Sequence, residues 1–225
     1  MGSPAIPLLT PEWVDARFHA LQVQPSIAYF YFPLPAGGDT VRYLRTLLTE
    51  DETARAARYI RLEDRERSVA SRGALRHLLG AGVKLVQTPL GRPVLAEGGV
   101  GEFNVSHSGA HLLIGMNPQG RVGVDVEESR PGDSEFLLTT MTDRERRMDG
   151  RLDAADRHWF RHLLWTRKEA ASKAVGLGLH QDPATLDVLD ETVAGLRLHS
   201  FALGTAAAAI ADEGPGPRQF FRVKW

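Results

Sequence analysis

Apolar and polar residues alternate strictly along one stretch near the middle of the chain, from Arg121 to Glu127. A period of two predicts a half-buried strand, in which residues two apart point the same way at a spacing of roughly 6.6 Å. The apolar positions are Val122, Val124 and Val126, and the others are Gly123, Asp125 and Glu127. We therefore expect the valines on one face and both carboxylates on the other, beside a glycine that leaves open space.

Helical periodicity dominates two other parts of the chain. Thr49 to Glu52 has the spacing of a capping box and predicts a helix whose basic, leucine-containing pattern continues to Gly80 and Gly82. A second capping box runs from Thr142 to Glu145. The strongest helical pattern spans 157–175, where an apolar stripe at 3.6-residue spacing ends at Gly176 and Gly178.

Shorter apolar runs predict strands. The predicted strands cover 27–32, 112–116, 186–189, 196–203 and 206–211, with a last edge strand at 220–225 and a helical turn near 13–21. Asn117 to Gly120 has proline second and glycine fourth, as a type I turn prefers. We therefore expect 112–116 and 121–127 to form a hairpin.

Two short segments carry candidate polar chemistry. Phe103 to Gly109 begins as an alternating strand and then changes to small polar residues around His107, so we expect this histidine in a loop where it can meet an anion. In the other segment, proline after Arg92 favours an extended backbone that projects the guanidinium away from the preceding turn.

Composition excludes several classes of function. The 225 residues contain no cysteine, which rules out disulfides, thiolate nucleophiles and cysteine metal clusters. The net charge of −1 gives no general attraction to nucleic acid or to a membrane, and no apolar run is long enough to span one. Residues 1–10 lack the pattern of a signal peptide, so we expect a cytoplasmic protein.

The acidic pair and the long helix each allow two interpretations. Asp125 and Glu127 could be ordinary charges at the end of a strand, or they could hold a hard divalent cation that also binds phosphate oxygens. On the helix, Glu169 and Lys173 lie one turn apart. They could form a simple surface ion pair worth about 0.2–0.5 kcal/mol, or they could face the same ligand.

Four motifs in order resemble those of the Sfp-type 4′-phosphopantetheinyl transferases. The family pattern is G-K-P, F-N-x-S-H-S, G-x-D-x-E and W-x-x-K-E-x-x-x-K. This chain has Gly91-Arg92-Pro93, Phe103-Asn104-Val105-Ser106-His107-Ser108, Gly123-Val124-Asp125-Val126-Glu127 and Trp165 to Lys173. The basic segment 55–68 also resembles the family's N-terminal half.

The resemblance implies an enzyme that moves 4′-phosphopantetheine from coenzyme A to a carrier-protein serine and releases adenosine 3′,5′-bisphosphate. Its implied Mg²⁺ ligands are Asp125, Glu127 and Glu169. Its implied catalytic residues are Asp125, Glu169 as the base, directly or through a water, and Lys173 at the leaving phosphate. Its implied coenzyme A contacts are Arg55, Arg58, Ser68, Arg92, Ser106, His107 and Lys173.

The family also implies an architecture and partners. We expect an α+β fold of two similar halves, 1–115 and 116–225, related by pseudo-twofold symmetry with the active site at their interface. We expect a monomer that serves nonribosomal peptide, polyketide or fatty-acid synthesis, with no nucleic acid or membrane partner. Acyl or peptidyl carrier proteins would dock near the apolar residues Phe136, Leu137, Leu138 and Met141.

Two positions depart from the family pattern. Arg92 replaces the usual lysine, which keeps the charge and adds a bidentate fork for phosphate. Glu52 stands where some relatives have a basic residue, which puts one nucleotide contact in doubt. The alternatives are a non-catalytic relative that binds coenzyme A or a carrier protein, and a metal-dependent nucleotide phosphohydrolase.

Overall fold

The computed structural model describes residues 6–21, 26–80, 82–89, 92–96, 101–129, 132–176 and 181–225. Its helices are α1 (Gly38–Thr46), α2 (Glu50–Ala57), α3 (Leu62–Leu79), α4 (Asp133–Thr139), α5 (Asp143–Asp149) and α6 (Ala154–Val175). The first six strands are β1 (Trp13–Arg17), β2 (Ile27–Pro33), β3 (Leu85–Gln87), β4 (Pro93–Leu95), β5 (Glu102–Ser108) and β6 (His111–Asn117). The others are β7 (Val122–Glu127), β8 (Thr192–Val193), β9 (Leu196–Leu203), β10 (Ala206–Asp212) and β11 (Arg218–Lys224). The predicted α+β class is confirmed.

Two larger sheets organise these strands. One has the order β1-β11-β2-β6-β5 and the other the order β7-β10-β9-β8, while β3 and β4 form a separate pair. An apolar cluster shared by both sheets, which includes Tyr29, Leu113, Val124, Phe201 and Ile210, lies between them. The two larger sheets therefore pack face to face.

Helices cover the outer faces of both sheets. The five-stranded sheet packs against α1 to α3 through a cluster that includes Phe30, Leu44 and Leu75. The four-stranded sheet packs against α6 through Leu163, Ala170 and alternate alanines of β10, namely Ala207, Ala209 and Ala211. The order of layers is helices, sheet, sheet and helix, which buries both faces of each sheet.

Local helix signals correspond to real helix starts. Both capping boxes form as predicted, at Thr49 with Glu52 and at Thr142 with Glu145. The strongest predicted helix is α6, which ends at Gly176 in the left-handed conformation, while Gly178 lies outside the described residues. The helix expected to run from Thr49 to Gly80 is instead two helices, because the chain turns at 58–61 between α2 and α3.

The predicted hairpin of 112–116 with 121–127 is wrong. β6 pairs with β5 and β2, whereas β7 pairs with β10 in the other sheet. The turn at Asn117 to Gly120 exists, but it carries the chain from one sheet to the other. Asn117 stabilises this crossing, since its side-chain amide donates to the carbonyls of Arg121 and Glu213.

Three other predictions need correction: two strands and one helical turn. The C-terminal strand β11 is not at an edge, because it lies parallel between β1 and β2 and so brings the end of the chain into the five-stranded sheet. Residues 13–17 form β1, and the only helical turn there is a 3-10 turn at Phe18–Ala20.

Residues 186–189 form no strand. Their backbone carbonyls accept hydrogen bonds from buried cations of α6 instead of from a neighbouring strand. Lys168 Nζ donates to the Leu186 carbonyl, and Arg167 Nε donates to the Val188 carbonyl at 2.6 Å.

Candidate active site

The carboxylates of β7 lie on the face of the four-stranded sheet that α6 covers. The valines of β7 face the other way and are fully buried between the two sheets. Asp125 is only 1% exposed, while Glu127 is half-buried at the end of the strand. The alternation of β7 therefore separates the valines from the carboxylates as the sequence predicts.

Gly123 brings α6 close to β7 and does not leave open space. A Cβ at this position would lie 1.9 Å from the Ala170 carbonyl oxygen and 2.6 Å from the Ala174 nitrogen. The helix backbone fills the volume that the sequence suggested was free for a ligand. The small side chain of Ala209, which faces Asp125 across the β10 pairing, also belongs to this helix-packing surface.

Asp125 is the centre of the site. Its Oδ1 accepts hydrogen bonds from Lys173 Nζ at 2.6 Å and from Ser106 Oγ at 2.8 Å. Its Oδ2 is buried and has no hydrogen-bond partner in the described part of the chain. Burying an ionised carboxylate oxygen without a partner is costly, so this oxygen is suited to a cation.

Lys173 and Glu169 come to the site from the same flank of α6. Burial alone would lower the pKa of Lys173, but Asp125 and then Glu169 and Glu127 hold that pKa above its usual value, so the ammonium is charged at neutral pH. Burial raises the pKa of Glu169, with a further contribution from the charge of Asp125, while Lys173 opposes the shift. The charged groups of α6 and β7 therefore shift one another's pKa values.

Two residues beside Asp125 were missed by sequence reasoning. Ser108 Oγ donates to Glu127 Oε2 at 3.0 Å, and Asn104 Oδ1 accepts from the backbone nitrogen of Val124 at 3.0 Å. The sequence contained a usable signal, because Asn104, Ser106 and Ser108 occupy alternate positions and so share one face of a strand.

His107 lies within β5 and not in a loop, because the strand continues to Ser108. It is exposed and belongs to the opposite face of β5 from Ser106. Partial desolvation lowers the pKa of His107, and the nearby guanidinium of Arg67 lowers it further. Both effects favour the neutral imidazole at neutral pH.

Arg92 lies between the β3–β4 pair and the end of α6. It donates to the backbone carbonyl of Lys173 at 2.8 Å and to Glu102 Oε2 at 3.1 Å. The first bond caps the helix that carries the site, so Arg92 links the position of α6 to the start of β5. Gly91, which precedes it in the motif, lies outside the described residues.

The basic segment of α2 and α3 borders a groove of about 540 Å³, which Arg55, Arg72, Arg76 and Lys84 line. Glu52 pairs with Arg76 at 3.0 Å and with Arg72 at 3.5 Å, so it orients two of these cations in addition to capping α2. Arg58 is exposed at the end of α2, and Ser68 is half-buried on α3.

The carboxylates show no preformed metal cage. In the described ranges, no three histidine, aspartate or glutamate side chains are arranged to hold a metal ion by themselves. Magnesium commonly uses one or two protein carboxylates together with waters and substrate phosphates, which the acidic pair and the unpartnered Asp125 Oδ2 could accommodate.

Of the four residues expected to receive a carrier protein, two are not accessible. Leu137 and Met141 are each 2% exposed, and Met141 packs in the apolar cluster that contains Leu163 of α6. Phe136 is 55% exposed and lies edge-on to Trp165 with ring centroids 5.2 Å apart, and Leu138 is half-buried. The amphipathic pattern of α4 leaves only Phe136 and Leu138 as docking candidates.

Comparison with known proteins points to one protein family. Residues 121–214 match the 4′-phosphopantetheinyl transferase superfamily, designated ACPS. The chain is 31% identical to the 4′-phosphopantetheinyl transferase HetI of Nostoc sp. over 185 residues, which cover 76% of this chain and 78% of HetI.

Two further relatives have similar names. The protein slr0495 of Synechocystis sp., provisionally named a 4′-phosphopantetheinyl transferase, is 34% identical over 146 residues, or 60% of this chain and 59% of its own length. L-aminoadipate-semialdehyde dehydrogenase-phosphopantetheinyl transferase of Mus musculus is 26% identical over 168 residues, 65% of this chain and 53% of the mouse protein. The matches thus span little more than half of these two relatives.

Across the described ranges, every helix is too short or too polar to serve as a membrane span.

Proposed function

This chain belongs to the 4′-phosphopantetheinyl transferase family, and on that premise we propose that it transfers the 4′-phosphopantetheine group of coenzyme A to a serine hydroxyl of an acyl or peptidyl carrier protein. Family membership supports the reaction class and carrier proteins as partners. The motif order supports the Sfp-type subgroup, and with it coenzyme A, Mg²⁺ and a monomer whose site lies between two similar halves.

The observation that carries this proposal is the unequal environment of the two oxygens of Asp125. One oxygen accepts from Lys173 at 2.6 Å, and the other is buried without a partner. Phosphoryl transfer requires a protein mainly to position charged groups and to neutralise developing negative charge. Asp125 therefore holds the ammonium of Lys173 on one oxygen and offers the other oxygen to a cation. Two positive charges would then lie at one point, where they can neutralise a phosphate.

Asp125 and Glu127 would hold Mg²⁺ together with waters and phosphate oxygens, and Glu169 would join from α6 when ion and substrate are bound, since the described residues do not form a three-carboxylate cage beforehand. When bound there with the pyrophosphate of coenzyme A, the ion would neutralise charge that builds on the phosphate oxygens. The charge of Asp125 raises the pKa of Glu169, which supports a position of Glu169 near the proposed ion. The incoming pyrophosphate would also compete with Asp125 for the ammonium of Lys173.

The transfer step joins the carrier serine oxygen to the phosphorus next to the pantetheine arm and breaks the bond from that phosphorus to the bridging oxygen. Glu169 would take the serine proton, directly or through a water; in the metal-free protein burial raises the pKa of its carboxyl, which favours proton uptake. Lys173, which stays protonated, would stabilise the released adenosine 3′,5′-bisphosphate.

The remaining coenzyme A contacts would come from the N-terminal half. We assign His107 to a phosphate and Arg92 to the 3′-phosphate, which requires Arg92 to release Glu102. Arg55 borders the basic groove, which suits an anionic nucleotide, and Arg58 and Ser68 would support the same end. The carrier would contact Phe136 and Leu138 beside Trp165.

Intact-mass measurement on a panel of apo-carriers tests the proposal. With Mg²⁺ and coenzyme A, we expect at least one carrier to gain the mass of one phosphopantetheine group, and we expect a chelator to prevent the gain. Asp125→Ala should abolish transfer. Unchanged carriers across a broad panel, with retained binding of coenzyme A, would favour the non-catalytic alternative. Release of inorganic phosphate without any carrier would favour a phosphohydrolase.

A further inference from the structure

The two sheets meet along a side-chain ladder formed by alternate residues of β5, namely Asn104, Ser106 and Ser108. Each accepts a hydrogen bond from a backbone nitrogen of β7 or of Glu128, the residue directly after it. Asn104 Oδ1 accepts from Val124 at 3.0 Å, Ser106 Oγ from Val126 at 3.3 Å and Ser108 Oγ from Glu128 at 3.1 Å.

This ladder satisfies a sheet edge that would otherwise lack partners. β7 is the outer strand of its sheet, where β10 pairs with only one side of it, and β5 is the outer strand of the other sheet. Edge strands present a row of unpaired backbone groups. Here side chains, and not a second backbone, supply the acceptors, so the two edges join without becoming one continuous sheet.

Only the two serines continue from the backbone to a carboxylate. A hydroxyl has one hydrogen to donate and can accept at the same time. Because each serine oxygen accepts from a backbone nitrogen, that of Val126 or of Glu128, its hydrogen is available for the acid. Ser106 donates to Asp125 at 2.8 Å and Ser108 donates to Glu127 at 3.0 Å. Asn104 makes the same kind of backbone contact, but no hydrogen bond links it to either acid.

We propose that Ser106 and Ser108 are positioning residues, which fix the side-chain orientations of Asp125 and Glu127 relative to the β7 backbone and so prepare both acids for a divalent cation. This inference rests on the proposed function. Ser106 acts through Asp125, because its one hydrogen is directed to that acid and not to a phosphate. The opposite face of the same strand carries His107, so β5 orients the acids on one side and presents an imidazole on the other.

The test compares Ser106→Ala and Ser108→Ala with Asn104→Ala as the matched control. Each variant removes one ladder bond to β7, so each should lose some thermal stability. Only the serine variants also release an acid. We expect them to raise the half-saturating Mg²⁺ concentration of carrier transfer about 10–100-fold, the range typical for residues that orient metal ligands. Asn104→Ala should leave that concentration nearly unchanged.

A second measurement does not depend on turnover. Calorimetric titration of Mn²⁺ in the presence of coenzyme A should show a similar loss of affinity in the serine variants and no loss in Asn104→Ala. If Ser108→Ala fails to fold, Ser108→Cys keeps nearly the same volume with a weaker donor and should give an intermediate shift. Equal shifts in all three ladder variants, or none, would overturn the inference.

The design separates this inference from the proposed function. If the wild type modifies no carrier, the proposed function fails, and the calorimetric comparison alone decides whether the serines position the acids. If the wild type is active and the serine variants retain its half-saturating Mg²⁺ concentration, the inference fails and the proposed function stands.

Discussion

Replacing Gly123 by alanine should separate the two elements that make the site. The new Cβ would lie 1.9 Å from the Ala170 carbonyl oxygen, whereas real Cβ contacts are essentially never under 3.0 Å. Helix α6 and strand β7 must therefore move apart by at least 1.1 Å (3.0 − 1.9). Both contacting atoms belong to the helix backbone, so no side-chain rotation can relieve the clash.

This displacement is large on the scale of the catalytic contacts. If it lies along the bond from Lys173 Nζ to Asp125 Oδ1, that distance grows from 2.6 Å to about 3.7 Å, beyond hydrogen-bond reach. A misplacement of about 1 Å can cost on the order of 100-fold in rate. Overpacking a well-packed contact typically costs about 1–3 kcal/mol of stability. We therefore expect Gly123→Ala to lower kcat about 100-fold while the protein remains folded.

The assay is carrier modification followed by intact mass, with stability measured by urea unfolding. Gly73→Ala is a matched control, because its Cβ would lie 2.7 Å from Leu44 Cβ at the contact of α3 with α1, away from the acids. It should lose comparable stability with a much smaller effect on kcat. A kcat of Gly123→Ala within a factor of about three of wild type would show that the site does not need this close approach.

Three further predictions follow from contacts elsewhere in the protein. Arg92→Ala should raise the KM for coenzyme A more than the KM for 3′-dephospho-coenzyme A; an equal effect on both would limit Arg92 to capping α6 at Lys173. Asp212→Ala should cost about 3 kcal/mol in urea unfolding, because it leaves two part-buried arginines and the buried hydroxyl of Tyr29 without their acceptor. A loss under about 1 kcal/mol would contradict this. His162, 3% exposed, has a pKa lowered by burial and then by His158, so the folded state resists its protonation and stability should fall as pH drops below about 6.5. His162→Leu should flatten that part of the urea-unfolding profile, and an unchanged slope would refute the assignment.

The acids of β7 illustrate what a local sequence pattern can predict. Alternation placed the valines and the acids on opposite faces, and helical spacing placed Glu169 and Lys173 on one flank of α6, as the structure shows. The reason is geometric, since the faces of a strand and of a helix depend on sequence spacing alone. The same reasoning treated Gly123 as open space, because nothing in a strand pattern says which element packs against it.

The capping boxes, the strand alternation and the motif order could be read from neighbouring residues. The pairing of β7 with β10, the position of β11 between β1 and β2, and the burial of Leu137 and Met141 became known from the folded chain. So did the contacts of the β5 side chains that hold the edge of β7 and orient its acids. These outcomes depend on which surfaces meet, and partners far apart in sequence are selected by packing and burial over the whole chain, so no local pattern encodes them.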